Sequence, residues 1–307
     1  MNYFLTGTLL LAVAPLSAAW QRSQTPQSPQ VTVEVEAVNV LVTVMDENGR
    51  FITDLPRDSF IVYEDGQVQQ ITNFSQETNL PLRIGLLVDT SASVRLKLDF
   101  EKEAARHFLF TVMRGQDRAL LVEFDRGATL IQDYTARPAI IAEELGKLTA
   151  GGGTALFDAI YLVARDKMSD PNVRKIIVVL SDGEDLTSHH TIEETIEAVT
   201  LSELILYAIG TNNFGASNDY RGADILKELA DQTGGQAFFP YSPELLTEAF
   251  ESIGRELRSQ YSITYTPINK KRDGTFRKIK INVKGPKGLT TRYKSGYWAG
   301  QPRNPSN

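Results

Sequence analysis

The chain has 307 residues, 42% hydrophobic and 23% charged, enough to bury at least one sizeable core, which excludes disorder, a collagen repeat or a coiled coil as a description of the whole. There is no cysteine, which excludes a disulfide framework, a thiolate metal site and a cysteine nucleophile, so any bound metal must take oxygen or histidine ligands. The formal net charge of -6 hides a polarity: from Arg255 onward there are 13 Lys and Arg against 2 Asp and Glu, or +11, while the remainder carries 19 against 36, or -17.

The first residues read as an address. Phe4 to Ala14 is mostly apolar and uncharged, and Ser17-Ala18-Ala19 puts small residues where a signal peptidase cuts, predicting a signal peptide over 1–19. The n-region carries no Lys or Arg, so an uncleaved anchor is the alternative. The expected location is secreted, or periplasmic and cell-envelope. No later stretch approaches the roughly 18 apolar residues of a membrane span. Residues 20–30 are polar with Pro and Ser and predict a flexible linker.

Residues 31–79 alternate. Val31, Val33 and Val35, then Val38, Val40, Val42 and Val44, predict strands, and Asp46-Glu47-Asn48-Gly49 predicts a tight turn. Phe60 to Tyr63, the turn Glu64-Asp65-Gly66 and a return strand Val68 to Phe74 repeat that grammar. These Asp/Gly clusters lack the alternating acidic ligands of a calcium loop and read as turns.

From Leu82 the pattern changes. Ile84 to Val88, Ala119 to Phe124, Ile176 to Leu180 and Leu204 to Ile209 are near-continuous apolar runs, as strands buried on both faces of a parallel sheet require. Amphipathic helices are predicted at Arg95 to Met113, Ala139 to Leu148, Leu156 to Met168, Ile192 to Leu201, Ala223 to Gln232 and Pro243 to Leu257. The alternation predicts a doubly wound α/β domain over 80–257, whose site lies beyond the carboxyl ends of its strands.

Residues 258–299 return to alternation in Tyr261 to Tyr265, Phe276 to Val283 and Leu289 to Tyr297, joined by Lys271-Arg272-Asp273-Gly274 and Gly285-Pro286-Lys287-Gly288 turns. A lone hairpin is marginal in water. The two β segments are therefore expected to pack as one β-sandwich into which the α/β domain is inserted, leaving 300–307 as a tail. The basic residues from Lys270 to Lys294 alternate with Ile279, Ile281 and Val283 as a solvated sheet face does, and are expected to pair with the acidic portion and to protect a sheet edge.

Three strand ends carry candidate ligands. Asp89-Thr90-Ser91-Ala92-Ser93 gathers a carboxylate and two hydroxyls, either as an all-oxygen pocket for a hard cation or as caps of the next helix. Gly151-Gly152-Gly153-Thr154 precedes a helix without the Lys-Ser/Thr of a phosphate loop, and Ser181-Asp182-Gly183 follows the third buried run. Thr154 can offer a hydroxyl and Asp182 a second carboxylate on the rim that holds Asp89.

This set resembles the metal-ion-dependent adhesion site of von Willebrand factor type A (VWA) domains. The flanks, with Val62-Tyr63-Glu64-Asp65-Gly66 and Ser259-Gln260-Tyr261 through Gly296-Tyr297, are similar to a bacterial group of exported proteins related to that domain. The resemblance implies that Ser91, Ser93 and Thr154 hold a divalent cation directly or through water, that Asp89 and Asp182 act mostly through water, and that a protein partner supplies an Asp or Glu carboxylate to the ion. The hydroxyl-rich set favours Mg²⁺, with Ca²⁺ or Mn²⁺ as alternatives.

Enzyme readings are weaker. The place of the second aspartate of a phosphotransferase holds Ser91, no G-x-S-x-G occurs, and the only histidines are His107, His189 and His190, the last two expected in solvent before a helix. No nucleic-acid motif accompanies the basic tail. The function expected is an exported, non-enzymatic adhesion or protein-interaction module. The alternatives are an envelope assembly factor whose metal site stabilises the fold and, more weakly, a metal-dependent hydrolase.

Overall fold

The computed structural model describes residues 37–76, 80–168, 173–211 and 221–300. The predicted signal peptide, the linker, Val31 to Val35 and residues 301–307 lie outside them. Among the described residues no helix is long and apolar enough to cross a membrane.

The chain begins with β1 (Val38–Met45), whose valines face inward at every second residue. The Asp46 carboxylate accepts the Asn48 and Arg50 backbone N–H groups, and Gly49 at φ 73° closes the predicted turn. Then follow β2 (Phe60–Glu64), β3 (Gln67–Gln69) and β4 (Ile71–Gln76). The α/β segment contains β5 (Leu82–Asp89), α1 (Leu98–Val112), β6 (Arg118–Phe124), β7 (Ala128–Thr135), α2 (Pro138–Lys147), α3 (Leu156–Asp166), β8 (Arg174–Ser181), α4 (Ile192–Leu201), β9 (Leu204–Gly210), α5 (Arg221–Thr233), β10 (Ala237–Phe238) and α6 (Pro243–Glu256). It is followed by β11 (Tyr261–Tyr265), β12 (Phe276–Val283), β13 (Thr290–Arg292) and β14 (Gly296–Trp298).

The central sheet has the order β10-β9-β8-β5-β6-β7, parallel throughout except for β7. Its inner strands β5, β6, β8 and β9 are buried on both faces, as their apolar runs require. Leu82, Ile84, Leu86 and Val88 of β5 join Ile176, Val178 and Leu180 of β8 under α1, α2 and α6. Leu87, Ile177 and Val179 point the other way, under α3, α4 and α5. The edge strand β7 escapes prediction because half of its surface is solvated and its register against β6 shifts twice, so no clean period survives.

The flanking β segments interleave rather than stack as separate pieces. One antiparallel sheet has the order β13-β1-β11-β4 and the other β14-β12-β2-β3, so each draws strands from both ends of the chain. Val40, Val42, Phe60, Val62, Tyr261, Ile263, Ile279 and Ile281 close one core between the two sheets. The expected insertion of the α/β segment into a β-sandwich is what the structure has. Two details differ from expectation: Val68 to Phe74 is two strands, β3 and β4, in different sheets, and Leu289 to Tyr297 likewise divides into β13 and β14. The expected lysine-protected edge is also corrected, since β12 lies between β14 and β2 and its Lys278 and Lys280 project from the solvated face of an interior strand.

Arginines carry charge pairing between the tail and the acidic portion. Arg277 pairs with Asp65 at 3.8 Å, and Arg258 with Asp117 at 2.8 Å. The most buried pair joins Arg292 of β13 to Glu256, the last residue of α6, at 2.5 Å. Glu256 has no exposure at all, and its other oxygen accepts the Thr43 hydroxyl of β1 at 2.6 Å. Gln260 donates to the same Thr43 and accepts from Arg174 at the start of β8. Both partners of a buried ion pair must be present, because a charge left alone there is uncompensated. Glu256→Ala should therefore lower the free energy of unfolding by about 3–5 kcal/mol, measured as a fall in the urea midpoint, with Glu256→Gln losing less because it still bonds Thr43.

Candidate metal centre

Strand order reverses between β5 and β8, and in an open parallel sheet the crevice beyond the carboxyl ends at such a reversal is where ligands sit. Asp89 ends β5 and Ser181 ends β8 beside it. Asp89 is completely buried: its Oδ1 accepts the Ser91 N–H at 2.8 Å and its Oδ2 the Ser181 hydroxyl at 2.7 Å. The Ser91 and Ser93 hydroxyl oxygens stand 2.8 Å apart, Ser91 buried and Ser93 exposed. The capping alternative is not realised. The N-cap of α1 is Lys97, and neither α1 nor the short 3-10 turn Ala92–Val94 receives a side-chain cap bond.

Hydrogen bonds stitch three loops into one rim. Gly151 N–H donates to the Thr90 carbonyl at 2.7 Å, and the Leu186 and Thr187 N–H groups donate to the Thr154 carbonyl at 2.9 and 3.0 Å. Two glycines make this approach possible. Gly152, at φ 90°, would set a Cβ 2.4 Å from Asp125 Oδ2, and Gly183, at φ 81°, would set one 2.2 Å from the Gly222 carbonyl oxygen. Thr154 is buried at the head of α3, and Asp182 is half-buried just past β8. Asp89 at the end of β5, and Ser91, Ser93, Thr154 and Asp182 on the loops beyond the strands, thus stand at one edge of the sheet.

The electrostatics mark this edge. Burial pushes the Asp89 carboxyl up to about 6 despite its hydrogen bonds from Ser181 and Ser91, and the Asp182 charge adds to the rise. Sequence reasoning missed Glu101, one helical step behind. Burial, then the Asp89 charge, push it up to about 8, with Lys97 and Thr211 pulling the other way. Neither Glu101 oxygen nor the Thr211 hydroxyl has a hydrogen-bond partner of good geometry. The signal was present: Glu101 interrupts the inward stripe Leu98, Ala105, Phe108 and Val112 at helical spacing. Ser181, next to Asp182, was given no role because a lone serine at a strand end forms no pattern.

His189 is exposed and His190 half-buried just before α4, as expected, but both are tied down: the Nδ1 atoms lie 3.0 and 2.6 Å from the two oxygens of Asp158, and both backbone N–H groups also donate to it. His190 further stacks on Tyr161, ring centroids 3.7 Å apart. Burial works against the charged Asp158, but these hydrogen bonds outweigh it and hold the carboxyl down at about 2. Asp158 lies in the first turn of α3, so the cluster ties the loop after β8 to the helix that Thr154 precedes. Helix α4 begins beyond it with a capping box between Thr191 and Glu194.

Among the described residues no three His, Cys, Asp or Glu side chains converge as a metal cage. The set at the rim is instead two carboxylates and three hydroxyls, the hard oxygen chemistry that suits Mg²⁺, Ca²⁺ or Mn²⁺. The residues fit such an ion, because a buried carboxylate whose ionisation is disfavoured lacks only a counter-charge.

Residues 84–184 match the family model described as von Willebrand factor type A domain. No curated protein matches the chain. Among solved structures, a von Willebrand factor type A protein from Catenulispora acidiphila is 15% identical, with a TM-score of 0.52 over 87% of this chain and 74% of that one. Proximal thread matrix protein 1 from the mussel byssus, with a zinc-occupied metal-ion-dependent adhesion motif, is 17% identical, with a TM-score of 0.51 over 64% of this chain and only half of that one. A conserved hypothetical protein, BatB, from Bacteroides thetaiotaomicron is 18% identical over 58% of this chain and all of its own, at a TM-score of 0.49. With a doubly wound sheet, its switch-point rim and the matching segment in hand, the α/β portion of this chain is a von Willebrand factor type A domain.

Proposed function

We propose that the chain is an exported protein-interaction module that holds a divalent cation, Mg²⁺ by preference, at Asp89, Ser91, Ser93, Thr154 and Asp182, and engages a partner's Asp or Glu carboxylate through it. The observation that carries this reading is the buried Asp89 beside a converging pair of serine hydroxyls that cap no helix. When bound, the cation supplies a Lewis-acidic position open to an incoming carboxylate. The protein's own part is to set the donors. Asp89 fixes the Ser91 backbone, Ser181 orients Asp89, and the Gly152 turn brings Thr154 to the same rim. A set dominated by neutral hydroxyls leaves the ion short of negative charge, which favours recruitment of a charged partner group. The mussel protein's zinc-occupied motif supports metal binding at such a rim. Export rests on the N-terminal sequence, and a non-enzymatic role on the binding logic of the site.

Asp89→Ala and Ser91→Ala should abolish capture of a partner from the exported proteome in Mg²⁺, to the level seen with EDTA, while the melting temperature of the metal-free chain stays nearly unchanged. Unfolding of both variants would instead favour a metal site that serves the fold.

The pH dependence has a definite sign. Asp89 and Glu101 have folded values raised above the unfolded ones, so their contribution to the stability of the metal-free chain is complete at low pH and declines as pH rises through about 6 and then about 8. A cation that neutralises Asp89 opposes this loss. The stability gain on adding Mg²⁺, read from urea unfolding, should therefore grow between about pH 5 and pH 8 and reach about 3 kcal/mol at an ion concentration some hundredfold above Kd. A gain independent of pH would remove Asp89 from the site.

A further inference from the structure

The metal rim uses the carboxyl edge of the central sheet, and a second concavity lies at the opposite edge. Beyond Arg292, the last residue of β13 to pair with β1, the chain turns aside to the end of α5. There the Ser295 N–H donates to the Gln232 carbonyl at 3.2 Å, and Gly234, at φ 81°, lets the backbone pass where a Cβ would lie 2.6 Å from the Lys294 nitrogen. The detour leaves Val38 to Val42 of β1 paired with β11 alone. A hollow of about 80 Å³ occupies the gap, lined by Asn39 and Leu41 of β1, Lys175 of β8, Leu204 and Ile205 of β9, and Lys294. That is room for about five water molecules or one small oxyanion group. A second hollow of about 200 Å³ shares Thr200, Glu203 and Lys294 with the first and continues it past Leu201, Tyr297 and Trp298. Together they make one crevice with a polar inner end and an apolar, aromatic outer end.

The charged residues that line this crevice are Arg174, Lys175, Lys294 and Glu203, three cations against one carboxylate. Arg174 is turned to Gln260 and the Leu257 carbonyl. Glu203 is exposed, so water screens its charge. Lys175 is buried, and Lys294, half-buried, forms no ion pair among the described residues. Burial holds the Lys294 ammonium below the usual lysine value, with Glu203 pulling the other way and the Lys175 charge adding to the fall. At the outer end the Trp298 indole Nε1 is buried with no hydrogen-bond partner. A cation and a donor held out of water without acceptors are costly. An anion entering the crevice relieves the first and can accept from the second.

We infer that this crevice is a binding site for a small organic carboxylate, whose head meets Lys294 and Lys175 and whose apolar body lies along Leu201, Tyr297 and Trp298. The two ends of the crevice select the ligand together. A hydrated inorganic anion answers the lysines but leaves the aromatic end unfilled, and a neutral apolar molecule fills that end but leaves the lysines without a counter-charge. The occupant bridges β1 and β14 of the sandwich to the starts of β8 and β9. The site is separate from the metal rim and does not depend on it.

The test uses the full chain carrying Trp20→Phe, which leaves Trp298 as its single tryptophan, with EDTA present so that no carboxylate is held at the metal rim. 3-Phenylpropionate should change the Trp298 emission saturably, and 3-phenylpropionamide, with the same body and no charge, should bind at least about tenfold more weakly. Acetate, which lacks the body, should also lose at least about tenfold. Lys294→Met should bring the affinity for the acid down to that for the amide and leave the urea midpoint at or above that of the parent chain. If that variant unfolds, Lys294→Gln should show the same loss of affinity. Equal affinities for acid and amide, a preference that survives in the Lys294 variants, or inorganic phosphate binding as tightly as the acid would overturn the proposal. So would the absence of binding to the parent chain. Binding that then appears once Glu34→Gln and Glu36→Gln are added would assign the crevice to the chain's own N-terminal segment.

Discussion

A carboxylate held out of water at the end of β5 is the constraint around which this molecule is organised. An ionised group there is expensive unless it is hydrogen-bonded and compensated. Asp89 is hydrogen-bonded by Ser181 from the neighbouring strand and by the Ser91 backbone, but no cationic side chain reaches it. Its carboxyl is accordingly pushed up to about 6, so that its ionisation stays costly. Because Asp89 is fixed at the strand reversal, the Ser91-Ser93 turn, the glycine loop before Thr154 and the loop carrying Asp182 all have a common point to face, and backbone bonds among those loops hold them there.

The rest of the chain serves as a frame for that edge. The β-sandwich receives β4 on the way into the α/β segment and β11 on the way out, so both junctions are pinned by strand pairing. At the second junction Glu256, Arg292, Thr43, Gln260 and Arg174 form a polar network with almost no exposure, linking the end of α6 to β1, β13 and the start of β8. A network with all its members present fixes one arrangement where an apolar contact would tolerate sliding. The charge polarity of the sequence is spent partly here, with a tail arginine against an α6 glutamate, and partly on solvated lysines.

Much of this was legible in the residues because burial on both faces leaves an unmistakable mark. Ile84 to Val88 and Ile176 to Leu180 are near-continuous apolar runs, their helices carry inward stripes, and the Asp-x-Ser-x-Ser turn falls where the topology puts sites. What was not legible is what depends on partners distant in sequence. No turn residue stands between Val68 and Phe74, although the chain at Gln70 leaves one sheet for the other. Strand β7 has a solvated face and an irregular register, so its pattern resembles a loop. The break Glu101 makes in the inward stripe of α1 is local, but that its carboxylate feels the Asp89 charge depends on the fold. The convergence of His189 and His190 on Asp158 depends on α3 passing beside the β8 loop, which no local pattern announces.

The interleaving of the two sandwich sheets has a consequence in time. Thr43 and its partner Glu256 are 213 residues apart, and β1 finds β11 only after the whole α/β segment has been made. At synthesis rates of about 5–20 residues per second, the N-terminal strands wait on the order of ten to forty seconds with their hydrogen-bonding edges open. The α/β segment is synthesised in full before the sandwich can close, so until then the valine-rich β1 has no partner strand and is the surface a nascent-chain chaperone would have to cover.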